Sequence, residues 1–271
     1  MRYEAAVETN LTFHTEQRTQ RSPFPEPETV VIEFEGRRFV WHELGANEEG
    51  EERWPVVTTM VGDPEDYAEE RRATASFLSA LSFSTRQRIR VVMTGGAGFK
   101  LEMDPPLVNA LRRGLVDHNY DAPAEVVAVA DRSLRIVLGY YREGLNAATP
   151  FFGFLAFWNA LDVACEDVDG RLSAWIRATA PGHAHLRGSD VPVPADWWVH
   201  LQNGWRNAVA HTIRDPERAP DLDPDDPVVS QVLGRDARLL EQLVQIRVRE
   251  RWGDFAVWLR PREAPPGRAS R

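Results

Sequence analysis

The sequence predicts an α+β protein, a small β-rich α+β region followed by an α-helical bundle, and three observations carry that expectation. Short β-prone runs with turn residues between them dominate the first third of the chain. From Pro105 onward the apolar residues recur at helical spacing. The densest apolar run, Phe151 to Ala164, is bounded by Thr149-Pro150 and reads as the buried central helix of a bundle. These features divide the chain into a poorly ordered leader (1–28), an α+β region (29–104), a helical domain (105–252) and a C-terminal tail (253–271).

The leader closes on the proline-spaced Pro23-Phe24-Pro25-Glu26-Pro27. Val30 to Phe34 and Arg38 to Glu43 are β-prone runs joined by Glu35-Gly36, a pair that suits a hairpin turn. The acidic run Glu48 to Glu52 is a solvated loop, and Val56 to Val61 is another strand. Asp63-Pro64 gives an N-cap acceptor and then proline at the first helical position, starting a helix that runs to about Leu81. Arg88 to Met93 and Phe99 to Met103 flank Thr94-Gly95-Gly96-Ala97-Gly98 and read as a second hairpin. A phosphate-binding Walker loop is excluded there. It needs lysine directly after its second glycine and then Ser or Thr, whereas Phe99 intervenes and Leu101 follows Lys100.

In the helical domain Leu107 to Val116 is a short candidate, and Pro123 opens a helix to about Tyr141. Pro150 begins the apolar helix, and Leu172 to Ala178 is a short one. Gly182 to Pro194 is a loop, Asp196 to His211 the next helix, and Pro227 to Trp252 a long last one.

Composition narrows the function classes. The net charge of −9 opposes indiscriminate coating of nucleic acid, which depends on neutralising phosphates, but leaves room for a local basic patch. No run reaches the roughly 18 apolar residues of a membrane span, and the polar start lacks the apolar segment of a secretory signal. Cys165 is the only cysteine, so a disulfide framework and a multi-cysteine zinc site are both excluded. A cytoplasmic protein without membrane contact, cofactor or metal is the expectation. His183 and His185 with Asp190 and His200 lack the converging spacing of zinc ligands. Asp221, Asp223, Asp225 and Asp226 mimic the start of a calcium loop, but its sixth and twelfth positions hold Asp226 and Val232 where Gly and Glu are required. Cys165, at the end of an apolar helix, reads as a small packed hydrophobe. The arginines of the last helix (Arg235, Arg238, Arg247, Arg249, Arg251) read as a solvated face, the later ones complementing its dipole.

One helix could carry chemistry. Leu201, Trp205, Ala208, Val209, Thr212 and Ile213 form its core stripe, and Asn203, Asn207, His211 and Arg214 fall away from it. Asn207 and His211, four apart, are neighbours on one face. Arg206, five before His211, reaches it only through its long side chain. Metal-independent RNA cleavage needs a group titrating near neutrality to move protons at the 2′-hydroxyl and the leaving oxygen, which a histidine supplies. It also needs a fixed cation for the charge developing on the phosphoryl oxygens, which an arginine supplies.

Arg206-Asn207-Ala208-Val209-Ala210-His211, preceded by the apolar Phe154-Leu155-Ala156-Phe157-Trp158-Asn159-Ala160-Leu161-Asp162, resembles the Arg-x(4–6)-His element of the HEPN superfamily. The resemblance covers about residues 120–252. It implies a metal-independent endoribonuclease of toxin or defence type. In that reading His211 is the general acid/base, Arg206 the phosphate clamp and Asn207 the orienting amide, with RNA as substrate, a homodimeric site and a possible antitoxin partner. It equally admits a non-catalytic binding or dimerisation module, since members of that superfamily have lost catalysis. Arg37–His42 and Arg113–His118 satisfy the same spacing, but the first lies in a β-like run and Gly114 follows Arg113 in the second. Overall length and layout are also similar to the MauJ-like accessory proteins of methylamine utilization.

Overall fold

A computed structural model describes residues 2–9, 11–14, 28–43, 56–60, 67–95, 118–121, 125–126, 129, 131–166, 170–188, 190–209 and 226–253. The chain divides into two compact units, Met1–Ala128 with Ala256–Arg271, and Val129–Phe255. The division therefore falls later than the 104/105 boundary expected from the change in periodicity.

The first unit is α+β. Its strands are β1 (Arg2–Glu8), β2 (Leu11–His14), β3 (Glu28–Phe34), β4 (Arg37–Glu43), β5 (Val56–Met60), β6 (Arg90–Gly95), β7 (His118–Asp121) and β8 (Glu125–Val126). Six of them form one sheet in the order β6-β1-β5-β4-β3-β8, and β2 pairs with β7 in parallel. The expected hairpin is present: β3 and β4 are antiparallel, with Ile32 opposite Phe39 and Val30 opposite Trp41. Glu35 and Gly36 both take positive φ (51° and 71°), the turn conformation whose twist matches the flanking strands. Along both strands buried residues (Val30, Ile32, Phe34; Phe39, Trp41) alternate with more exposed ones, as a half-buried sheet requires. The helix α1 (Tyr67–Thr85) covers that face, with the Phe77 ring stacked 4.5 Å from Phe39 and tilted 5.8 Å from Phe34.

Two expectations are corrected here. Residues 2–8, expected within a poorly ordered leader, form β1, which lies inside the sheet between β5 and β6. Its period of two is real, since Ala5 and Val7 are fully buried, but small Ala5 and the intervening Arg2, Glu4 and Glu8 dilute the apolar signal. Arg90–Gly95 pairs with β1, and its expected partner at 99–103 lies outside the described residues, as do the candidate helix at 107–116 and the Asp63-Pro64 start.

The second unit is helical, with α2 (Arg132–Asn146), α3 (Pro150–Cys165), α4 (Arg171–Thr179), a 3₁₀ segment (Ala180–Arg187), a π-helical segment (Val199–Arg206) and α5 (Pro227–Trp252). The helix expected from Pro123 begins only at Arg132. Asp131 takes extended φ/ψ and accepts the amide of Leu134 at 2.9 Å, an N-cap, while Glu125–Val126 upstream joins β3 as a strand. Expectation and structure agree for α3, which opens on Pro150, and for α5, where Asp226 caps Val228 at 2.8 Å and Pro227 takes the first helical position.

The central place of α3 comes from its composition. Phe154, Phe157, Trp158 and Leu161 are buried between α2 and α5, with Phe157 against Gly144 and Tyr141 of α2. Among the described residues no helix is long and apolar enough to cross a membrane. Two arginines of α5 do more than solvate their own helix. Arg251 donates to the carbonyls of Val163 and Ala164, and Arg247 to that of Ala164, so both meet the negative end of α3.

Candidate functional site

The helical stretch that carries Arg206 and Asn207 starts at a well-built N-cap. Asp196 accepts the amides of Trp198 (2.8 Å) and Val199 (3.1 Å) and is clamped by Arg177. The amide of Val199, and after it Arg177, holds the Asp196 carboxyl below its ordinary range against the opposing effect of desolvation. From Val199 to Arg206 the hydrogen bonding is π-helical, so residues five apart come to lie near one another. The α-helical spacing assumed from the sequence does not hold over these eight residues.

Arg206 and Asn207 are brought together. Arg206 Nη1 donates to Asn207 Oδ1 at 3.0 Å, and Asn207 Nδ2 donates to Asn203 Oδ1 at 3.3 Å. Arg206 and Asn203 are exposed, while the neighbouring Ala208 and Val209 are buried, which agrees with the expected division between core stripe and polar face. His211 lies outside the described residues, as do Thr212 and Ile213. The competing Arg37–His42 copy sits on β4, where Arg37 pairs with Glu69 and Glu70 and His42 meets Thr58 Oγ1 at 2.9 Å.

Trp205, expected on the apolar stripe, is instead part of a polar cluster that sequence spacing alone does not assemble. At its centre is Asp236 of α5, whose side chain is fully buried. Arg187, only 3% exposed, ion-pairs with it through Nε and through Nη2 at 3.3 Å. Arg187 Nη1 donates to the Pro192 carbonyl at 2.8 Å, and the guanidinium lies over the Trp197 ring at 5.3 Å. The Trp205 indole N–H donates to Asp236 Oδ2 at 2.7 Å, and His200 Nε2 meets the same oxygen at 2.8 Å. The π geometry makes this possible, because His200 and Trp205 are five apart and share one oxygen. A buried carboxylate is costly unless its charge is matched, and here Arg187 supplies the matching charge while Oδ2 takes the nitrogens of Arg187, Trp205 and His200; Oδ1 faces Arg187 Nε as an ion pair without a hydrogen bond.

The remaining candidates stand apart from this cluster. The His183 and His185 rings lie 6.2 Å from each other on the 3₁₀ segment, and Asp190 takes Arg235 Nη1 on both its oxygens at 2.8 Å. Among the described residues no group of three or more His, Cys, Asp or Glu is placed to hold a metal ion. Cys165 is buried, at the end of α3.

A signal for the missed cluster did exist. Asp236 falls between Leu233 and Leu240 on the buried stripe of α5, and an acid at a core position calls for a buried cation. Arg187 could not be named as that cation, because nothing in the spacing ties a loop arginine to a residue 49 positions on.

The family model described as methylamine utilization protein MauJ matches residues 137–249. That span runs from within α2 to near the end of α5 and includes Arg187, His200, Arg206 and Asp236. The chain is thus similar to MauJ over most of its helical unit. No curated protein and no solved structure matches it.

Proposed function

We propose that the helical unit serves as a MauJ-like accessory module, a non-catalytic binding or dimerisation domain acting in methylamine utilization in the cytoplasm. The observation that carries this reading is the match over residues 137–249, which takes in α3, α4, α5 and the segment between them. The polar surface of Arg206, Asn207 and Asn203 supports it, because those side chains bond to one another and offer a fixed face to a partner. Deleting the gene in its source organism tests the proposal. Growth on methylamine as sole nitrogen source is expected to fail and to return with the wild-type chain. Unchanged growth sinks the reading.

A second reading, a HEPN-type metal-independent endoribonuclease of toxin or defence type, is favoured by one observation: Arg206 is exposed beside Asn207. Here Arg206 clamps the scissile phosphate, Asn207 orients it and His211 moves the protons, in a site completed across a homodimer and held in check by an antitoxin. Labelled single-stranded RNA incubated with the protein in EDTA separates the two. Cleavage by wild type that is lost in both Arg206→Ala and His211→Ala supports the nuclease, and intact RNA throughout leaves the accessory module.

A further inference from the structure

The π-helical stretch and the buried acid beside it coincide. The helix is α-wound at Trp197 and Trp198 and again from Asn207 to Val209, and π-wound only over Val199–Arg206. That span begins one residue before His200 and ends one residue after Trp205, the two side chains whose nitrogens meet Asp236 Oδ2 at 2.8 Å and 2.7 Å. On an α-helix, residues five apart point about 140° away from each other, so the two could not reach one oxygen. A π wind is the less favourable choice for a chain, and it persists where surrounding contacts impose it.

Asp236 is the fixed member of this contact. It lies fully buried between Leu233 and Leu240 on α5, and Arg187 pairs with it from outside the stretch. The Trp205 indole can only donate, so its bond to the carboxylate holds whichever tautomer His200 takes. The wind shows at the Asn207 amide, which bonds to the Gln202 carbonyl five residues back. Arg206 and Asn207 follow Trp205 directly, and Asn203 lies inside the stretch.

We propose that Asp236 is a positioning residue: its grip on Trp205 and His200 holds the stretch in the π wind and so sets the direction in which Asn203, Arg206 and Asn207 face. The value of that direction to a partner rests on the accessory-module reading, whereas the grip itself does not. The number of residues is the same with and without the grip, and what changes is the carbonyl that each amide takes. Without it the amides fall back to the carbonyl four residues away. The added winding then turns Arg206 and Asn207 by about 100° relative to His200.

Trans-hydrogen-bond scalar coupling in the isotopically labelled full chain identifies the acceptor of the Asn207 amide. Wild type is expected to couple to the Gln202 carbonyl. Trp205→Phe keeps an aromatic ring but no donor, and the double variant Arg187→Met with Asp236→Leu removes the acceptor without stranding a charge. Both are expected to couple to Asn203 instead. Gly204→Ala is expected to keep Gln202, because a Cβ there meets only His200 Nδ1, at 3.9 Å. So is Asp226→Ala, which weakens the same unit at the start of α5. Direction is read by nitroxides on Asn207→Cys and Arg238→Cys, the native Cys165 being buried. Their distance is expected to shift in Trp205→Phe and to stay in Gly204→Ala. Gln202 coupling absent from wild type, kept in Trp205→Phe or the double variant, or lost in Gly204→Ala overturns the proposal, as does a nitroxide distance unmoved in Trp205→Phe. These readings are made on the protein alone, so they stand or fall separately from growth on methylamine.

Discussion

Arg187 and Asp236 form an ion pair with 3% and 0% of their side chains accessible, joining the 3₁₀ segment to α5 across 49 residues of sequence. Removing one partner strands the other charge in the interior. Arg187→Ala is therefore expected to cost about 3–5 kcal/mol, while replacing both partners by apolar residues of similar volume costs much less. Urea unfolding of both single variants and the double variant measures the difference, and additive losses would contradict a coupled pair.

At Gly144 of α2 the ring of Phe157 on α3 occupies the space a side chain would take. A Cβ there would lie 2.5 Å from Cε1 of Phe157, whose ring is buried and held against Tyr141. Gly144→Ala gains about 1 kcal/mol of helix propensity, but overpacking of about 1–3 kcal/mol opposes it, and a ring with no room to turn puts the cost at the upper end. A lower thermal midpoint is expected. A raised one would mean that the ring moves aside.

Asp226 holds the start of α5 by accepting the amides of Val228 and Val229. Asp226→Ala is expected to destabilise the helical unit by about 1 kcal/mol, and Asp226→Asn to restore most of that, since an amide oxygen also caps. Denaturant titration of the three proteins reads both effects.

Three carboxyls of the helical unit sit below their ordinary range: Asp131 through the Leu134 amide and then Trp252, Asp190 through Arg235, and Asp196 through the Val199 amide and then Arg177. A depressed acid contributes stability that is fully present above its unfolded pKa, about 3.9, and is lost as pH falls through the lower folded value. These groups are thus expected to contribute their full share between pH 7 and 5, leaving the thermal midpoint of the unit flat on their account, and the midpoint is expected to fall below about pH 4 as that share is lost. Asp196→Asn is expected to flatten that acid limb, and an unchanged limb would remove Asp196 from the explanation.

Phe77 fills the space over the β3–β4 hairpin of the first unit. Phe77→Ala is expected to cost about 3–5 kcal/mol, because the rings of Phe34 and Phe39 lose their common neighbour. Hydrogen exchange of the hairpin amides localises the loss.

Elements were legible in the sequence where one short-range rule decides them. Pro150 and Pro227 mark the starts of their helices, and Glu35-Gly36 marks its turn, because first-turn prolines and turn residues act through the backbone close by in sequence. Elements were missed where a partner elsewhere decides. Arg2–Glu8 is a strand because β5 and β6 flank it, and Arg132 starts α2 because β3 takes up Glu125–Val126. In the site, the exposure of Arg206 and the burial of Ala208 and Val209 follow the polar and apolar pattern of the sequence, while the Asn207–His211 neighbourhood expected from helical spacing lies outside the described residues. The His200–Trp205–Asp236 convergence was not, since it rests on i to i+5 geometry that no apolar period announces.

That π-helical segment amounts to one extra residue wound into a helix, and so it sets the phase between the upstream and downstream turns. Excising a single residue between Leu201 and Gly204 would let the backbone close as an ordinary α-helix with its main-chain ladder continuous. Everything downstream would then turn by about 100° relative to His200. Trp205 would swing away from Asp236, and Arg206 and Asn207 would face a different direction. The length of this stretch thus behaves as a setting in its own right, one that point substitutions leave untouched and a one-residue deletion resets.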